Sequence, residues 1–199
     1  MKKGLLIALG AVVVIGLILF SFFGGTYNTL VQLDEKAKSQ WSQVENVYQR
    51  RLDLIPNLVN TVKGYANFEK DTLTQVIEAR TKATSVNVNS ENLTPDSIAK
   101  FQQAQSGLSS ALGLLMVVVE KYPDLKANQN FLELQSQLEG TENRIAVERK
   151  RFNEVVQEFN TYFRKFPNNI IGGMMGFETK GYFKADEAAS KAPTVSFEK

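Results

Sequence analysis

Residues 5–23 form an uninterrupted run without a charge, apolar except for Ser21. As a helix rising about 1.5 Å per residue it spans roughly 28 Å, close to the ~30 Å hydrocarbon core of a bilayer. A cleaved secretory signal has a shorter apolar region, about 7–15 residues, closed by a small-x-small site. Ser21-Phe22-Phe23-Gly24-Gly25 does not fit such a site, so the run reads as a retained anchor in the lipid bilayer. Lys2 and Lys3 abut it on one side, whereas Asp34-Glu35 precede Lys36 and Lys38 on the other. The positive-inside tendency then leans toward a cytoplasmic N-terminus and an extracytoplasmic domain.

The rest of the 199-residue chain is large enough for one domain. Lys2 and Lys3 account for two of the 23 Lys+Arg, so beyond them cations balance the 21 Asp+Glu. A neutral domain offers no overall field to a nucleic acid, and none is expected as a partner. The sequence has no histidine and no cysteine. That removes imidazole and thiolate metal ligands, Ser-His and Cys-His nucleophile pairs, and disulfides. No catalytic residue, metal or cofactor is expected, and the chain reads as a non-enzyme.

Past the anchor, Gly24-Gly25 suggests a hinge, and Thr29 with Gln32 three residues on resembles a capping box. Leu30, Leu33, Ala37, Trp41, Val44 and Tyr48 then recur at steps of three and four, the stripe of an amphipathic helix. Pro56 predicts a break, with a second helix starting there, because proline removes a backbone donor. Gly64 weakens that helix, which is expected to resume around Phe68 and carry Leu73, Val76 and Ile77. Residues 84–94 read as a polar loop. Thr94-Pro95-Asp96 starts the next helix, with Phe101, Leu108, Leu112, Leu115 and Val119 as its stripe, ended by Pro123. Asn128 caps the last long helix, striped by Phe131, Leu134, Leu138, Ile145, Phe152, Val155 and Phe159, and Pro167 stops it. The expected fold is all-α: a transmembrane helix, an antiparallel bundle of three to four long helices, and an irregular tail. The expected divisions are residues 1–25, 26–167 and 168–199.

Several stretches resemble one family. Arg50-Arg51-Leu52-Asp53-Leu54-Ile55-Pro56-Asn57-Leu58-Val59 followed by Val62-Lys63-Gly64-Tyr65-Ala66 looks like the hallmark segment of LemA family proteins. Tyr122-Pro123-Asp124-Leu125-Lys126-Ala127-Asn128, Thr141-Glu142-Asn143-Arg144-Ile145-Ala146 and Phe166-Pro167-Asn168 are similar too, as are Gly176-Phe177, Tyr182-Phe183 and residues 193–197. Asn67-Phe68-Glu69 departs from the Lys-His-Glu type sequence of many relatives, so no role of that histidine carries over. The resemblance implies a bacterial, membrane-anchored helical bundle without established enzymatic activity. A magnetosome-associated relative hints at membrane organisation, and relatives are often linked with TPM-domain membrane proteins. Some relatives carry the soluble domain in the cytoplasm, against the charge reading here, which favours the outer face of the bacterial inner membrane.

Two groups of residues stand out as site candidates. Arg50, Arg51, Asp53 and Asn57 surround the proline, and Asn60 lies close by. Glu142, Asn143 and Arg144 fall where Leu138 and Ile145 leave a gap in the apolar stripe. A polar ligand site is one reading; an interhelical network that fixes helix register is favoured, since guanidinium offers forked donors to carboxylates. The second group is Met174, Met175, Phe177, Tyr182 and Phe183 on a glycine-rich tail. It could meet a membrane surface or a neighbouring subunit, or fold back on the bundle. Both alternatives stay open. Glu133, Glu139, Glu148, Glu154 and Glu158 read as a solvated helix face, and Arg149-Lys150-Arg151 as an ordinary charged stretch. The expected function is a structural protein that self-associates as a homo-oligomer at the membrane. An adaptor for another envelope protein is the alternative.

Overall fold

The computed structural model describes residues 2–64 and 69–185. Six helices follow in order: α1 (Lys2–Lys63), α2 (Lys70–Ser85), α3 (Pro95–Val119), α4 (Pro123–Lys126), α5 (Gln129–Arg164) and α6 (Asn168–Met174). No strand occurs among the described residues. The all-α bundle with one long apolar N-terminal helix agrees with the sequence expectation. Tyr65, Ala66, Asn67 and Phe68, with the matched segment 193–197, lie outside the described residues.

The hinge expected at Gly24-Gly25 is absent, and α1 runs through it unbroken. Glycine in a helix interior costs only about 0.5–1 kcal/mol relative to alanine, too little to end a rod held at both ends. Thr29 does not cap a new helix either; its hydroxyl donates backward to the Gly25 carbonyl at 2.9 Å, as threonine does inside a helix. The same helix also passes Pro56, where a boundary was expected. Proline there leaves the carbonyl four residues earlier, that of Leu52, without its helical donor. The guanidinium Nε of Arg80 in α2 donates to that oxygen at 3.0 Å. A side chain from a neighbouring helix thus replaces the missing backbone N–H.

The long helices alternate in direction. Lys36 meets Glu158 at 2.5 Å and Arg51 meets Glu142 at 2.8 Å, so α1 and α5 are antiparallel. Tyr48 packs edge-on to Phe101, and Arg51 reaches Gln105 and Ser109, so α3 ascends beside α1. The expected caps are in place. The Thr94 hydroxyl accepts from the Ser97 amide, and the Asn128 side-chain oxygen accepts from the Phe131 amide at 3.1 Å. The tail is not irregular throughout, because α6 adds a short helix after Pro167.

Two apolar clusters fill the bundle. The one far from the apolar N-terminal run holds Ile55, Leu58 and Val62 of α1, Val76 of α2, Leu115 of α3 and Phe131 of α5. The nearer one is aromatic: Trp41 and Tyr48 of α1, Phe101 of α3, Phe152 of α5 and Phe183 of the tail. Trp41 touches the rings of Phe101, Phe152 and Phe183 at centroid distances of 5.2, 5.4 and 6.0 Å. By contrast, Val12, Leu17 and Phe20 stay exposed on a stretch long and apolar enough to cross a membrane.

Replacing Arg80 by alanine should destabilise the full chain in detergent by about 1–2 kcal/mol, since it orphans a partly buried carbonyl. In a Pro56→Ala background, where the backbone amide returns, the same change should cost less. Thermal unfolding by circular dichroism of the four members of that cycle reads the difference; equal costs would disprove the compensation.

Candidate functional site

Arg51 lies between the two clusters and is 1% exposed. Its Nη1 donates to the Ser109 hydroxyl at 2.9 Å and to Glu142 at 2.8 Å. Its Nη2 donates to both the carbonyl and the side-chain oxygen of Gln105. The guanidinium also stacks over the Tyr48 ring, 5.0 Å from its centroid. One side chain therefore ties α1, α3 and α5 together. Nε has no hydrogen-bond partner among the described residues. Burying a charge is tolerable only with such pairing, and the arrangement accepts one register of the three helices.

The other residues of that predicted group are not brought together. Arg50, Asp53, Asn57, Asn143 and Arg144 are all exposed. Asp53 accepts from Gln49 one turn back at 2.7 Å, and the Asn57 carbonyl accepts from Thr61. Asn143 and Arg144 face a shallow cleft beside Gln43 and Asn46. Sequence reading missed Gln105 and Ser109. Gln105 sits at a stripe position between Phe101 and Leu108, a polar residue where an apolar one is due, and that was its signal. Beside Arg51 the helices α3 and α5 diverge into a cleft of about 390 Å³ lined by Ser106, Ser110, Gln102 and Arg149. Its donors and acceptors suit hydrogen bonding, and the Arg51 guanidinium is already engaged by Ser109, Gln105 and Glu142.

The tail runs past that cleft in extended form, where Gln102 and Arg149 both donate to the Lys184 carbonyl. Asn160 donates to the Lys180 carbonyl and accepts from its amide, both at 2.9 Å. Asn153 does the same with Phe183, at 2.8 and 2.9 Å. Gln102 of α3 repeats the pair with Lys184, at 2.9 and 3.0 Å. Each carboxamide thus acts as a β-strand neighbour would. The spacing explains why α5 can do this twice: seven helical residues rise about 10.5 Å, and three extended residues cover about 10 Å. Gly181 is required between them, because a Cβ there would lie 2.7 Å from the Pro95 Cα.

Lys180, 9% exposed, anchors the strap through its ammonium, which meets Asp34 at 2.5 Å and lies 4.7 Å from the Phe159 ring centroid. Asp34 also holds Lys38 at 3.0 Å, and Lys38 reaches Glu91 in the loop before α3 at 2.7 Å. That hydrogen bond to Glu91, with Asp34 and Glu35 adding, pushes the Lys38 ammonium well above the ordinary lysine range despite some burial. Burial raises the Glu45 carboxyl, partly offset by a hydrogen bond with Trp41. The predicted tail residues divide. Phe183 is core and unavailable to any outside partner; Phe177 is half-buried against Tyr27 and Phe159; Tyr182, Met174 and Met175 are exposed.

These features define a class: a long-helix bundle with one buried guanidinium layer and a clamped C-terminal strap, carried on a helix whose N-terminal part is long and apolar enough to cross a membrane. The sequence profile of the LemA family matches residues 40–197, and the chain belongs to that family. Among its relatives, the Magnetosome protein MamQ 2 of Paramagnetospirillum magneticum is 26% identical over 187 residues, covering 85% of this chain and 68% of the relative. Protein LemA of Metamycoplasma hominis is 23% identical over 176 residues, covering 88% and 76%. Magnetosome protein MamQ of Magnetospirillum gryphiswaldense is 25% identical over 189 residues, covering 85% and 68%.

Two measurements on the full chain in detergent check this geometry. Arg51→Ala should destabilise by about 1–3 kcal/mol by leaving the Gln105 and Ser109 oxygens unpaired, and Glu142→Ala should cost about 1 kcal/mol, because it takes the carboxylate from a buried guanidinium but the pair is half open to solvent. Their double-mutant coupling should be positive; zero would remove the pair. Gly181→Ala should lower stability by about 1–3 kcal/mol through overpacking at the Pro95 backbone. An unchanged unfolding midpoint would show that the strap does not bind in this register.

Proposed function

We propose that this protein is a non-enzymatic scaffold that is anchored in a bacterial inner membrane and self-associates there. The observation that carries the reading is the single rod of α1, which joins the exposed apolar run to the bundle without a joint. A bundle on a stiff stem stands at a fixed height and orientation on its membrane. Neighbouring copies then meet at high local concentration, so weak side-to-side contacts suffice for assembly. The absence of histidine and cysteine from the sequence supports a role outside catalysis. The charge bias around the anchor supports a domain on the extracytoplasmic side. The magnetosome relatives fit a membrane setting for this family.

One observation favours a second reading, an adaptor for another envelope protein such as a TPM-domain membrane protein. A cleft of about 770 Å³ opens between α2 and α3, lined by Ala79, Ala104, Gly107 and Ala111 together with the longer Glu78, Lys82 and Lys100. Its small side chains would admit a partner helix.

Crosslinking of the intact chain in native membranes, followed by mass measurement in nanodiscs, separates these readings. Products made of this chain alone, with two or more copies per disc, are expected. A strict monomer at high loading would overturn self-association, and a dominant product with a different polypeptide would favour the adaptor.

A further inference from the structure

At the foot of the bundle an apolar stripe faces outward. Ile170 and Met174, one turn apart on α6, are 51 and 72% exposed, with Met175 beside them at 51% and Phe166, just before the helix, at 82%. The opposite side of α6 is buried through Asn168, Ile171 and Gly172. A polar-faced surface helix would show the reverse pattern. Large exposed apolar residues in a row mark a surface that another phase or molecule covers.

The height of this stripe on α1 identifies what covers it. A Cβ on Gly172 would lie 3.1 Å from the Leu30 side chain and 2.7 Å from the Phe163 ring, so α6 seats closely against α1 at Leu30. Phe177, just beyond, meets Tyr27 with ring centroids 6.1 Å apart. Leu30 lies seven residues past the end of the apolar run and Tyr27 four, about 10 and 6 Å along a helix. A bilayer ~40–45 Å thick with a ~30 Å hydrocarbon core leaves about 5–8 Å of headgroup layer on each side, so the level of Tyr27 falls inside that layer and Leu30 just above it, with α6 at its outer edge. The antiparallel register of α1 and α5 brings the α5–α6 corner, with Phe166, to the same level.

Charge agrees with a lipid surface. Arg164 and Lys165 are exposed immediately before Phe166, and no carboxylate residue occurs between Glu158 and Glu178. Basic residues beside an apolar face are drawn to anionic headgroups near the surface. Exposed Phe22, Phe23 and Tyr27 continue the same surface down α1, and aromatic rings of this kind concentrate at the membrane boundary.

We infer that α6 is a second membrane contact: Phe166, Ile170, Met174 and Met175 sink into the interfacial layer while Arg164 and Lys165 meet anionic headgroups. The inference rests on the anchored reading above. The apolar run and α6 then hold the bundle at two points, which fixes its rotation about α1 as well as its height. Because the strap begins where α6 ends, lipid contact is joined along the chain to Phe183 of the aromatic cluster.

The chain has no cysteine, so single-cysteine variants take a fluorophore cleanly. Environment-sensitive dyes at Met174→Cys and Ile170→Cys, in intact protein in vesicles of phosphatidylcholine and phosphatidylglycerol, should show blue-shifted emission. Lipids carrying a nitroxide near the headgroup should quench them. A dye at Asn130→Cys, at the far end of the bundle, should stay water-like and unquenched. Arg164→Gln with Lys165→Gln should reduce the blue shift at position 174. A dye at Ile15→Cys should be quenched by nitroxides deep in the acyl chains, and failure there would sink the anchor itself. Quenching at 15 with water-like emission at 174 would overturn only the α6 contact. A blue shift at 174 that requires two copies per nanodisc and resists lipid quenching would overturn it in favour of a second copy of this chain.

Discussion

The continuity of the α1 backbone ladder governs the rest of this structure. One helix carries the exposed apolar run, then the aromatic cluster, then Arg51, then the distal core. Any joint along it would uncouple the bundle from whatever holds the N-terminal segment. The two residue types that usually make joints are both present, as Gly24-Gly25 and Pro56. Neither acts as one. The glycines cost too little to matter, and the proline's lost hydrogen bond is made good by Arg80.

With the rod fixed, the Arg51 layer sets the register of its neighbours. Apolar stripes alone are permissive, since helices can slide by a turn and still bury leucines. A buried guanidinium with partners on two other helices permits no such slip without leaving a charge unpaired. The layer also explains why the core is divided. Mostly aliphatic residues gather on one side of it, and most of the buried rings on the other. The aromatic half is completed by Phe183 from the tail, so the bundle is unfinished until the strap is laid down.

The strap is held by polar groups that helices rarely offer in this way. Three carboxamides read the backbone of an extended segment, and the ammonium of Lys180 joins it to Asp34. Since backbone groups are what is recognised, the match depends on spacing more than on the tail's side chains. Gly181 is the exception, where the Pro95 backbone leaves no room for a Cβ. This strap also positions α6, whose buried face meets α1 and whose outer face is left to the surroundings.

Much of this was legible along the chain. An uncharged apolar run, stripes at three and four, Thr94 before Pro95, and Asn128 before Phe131 each act within a few residues, so local chemistry determined them. The family motifs pointed the same way. Arg51 and Glu142 could be singled out, within a wider polar group, because one lies close to Pro56 and the other falls in a gap in the apolar stripe. Other features were decided only by tertiary structure. Arg80 reaches Leu52 across 28 residues and Gln102 reaches Lys184 across 82, and no local pattern marks such pairs. Pro56 was misread for that reason, since its effect depends on a donor supplied by another helix. Asn153 and Asn160 likewise resemble ordinary helix polar residues until an extended segment lies against them. Sequence sets what a segment can form by itself; the packed fold decides which unsatisfied groups find each other.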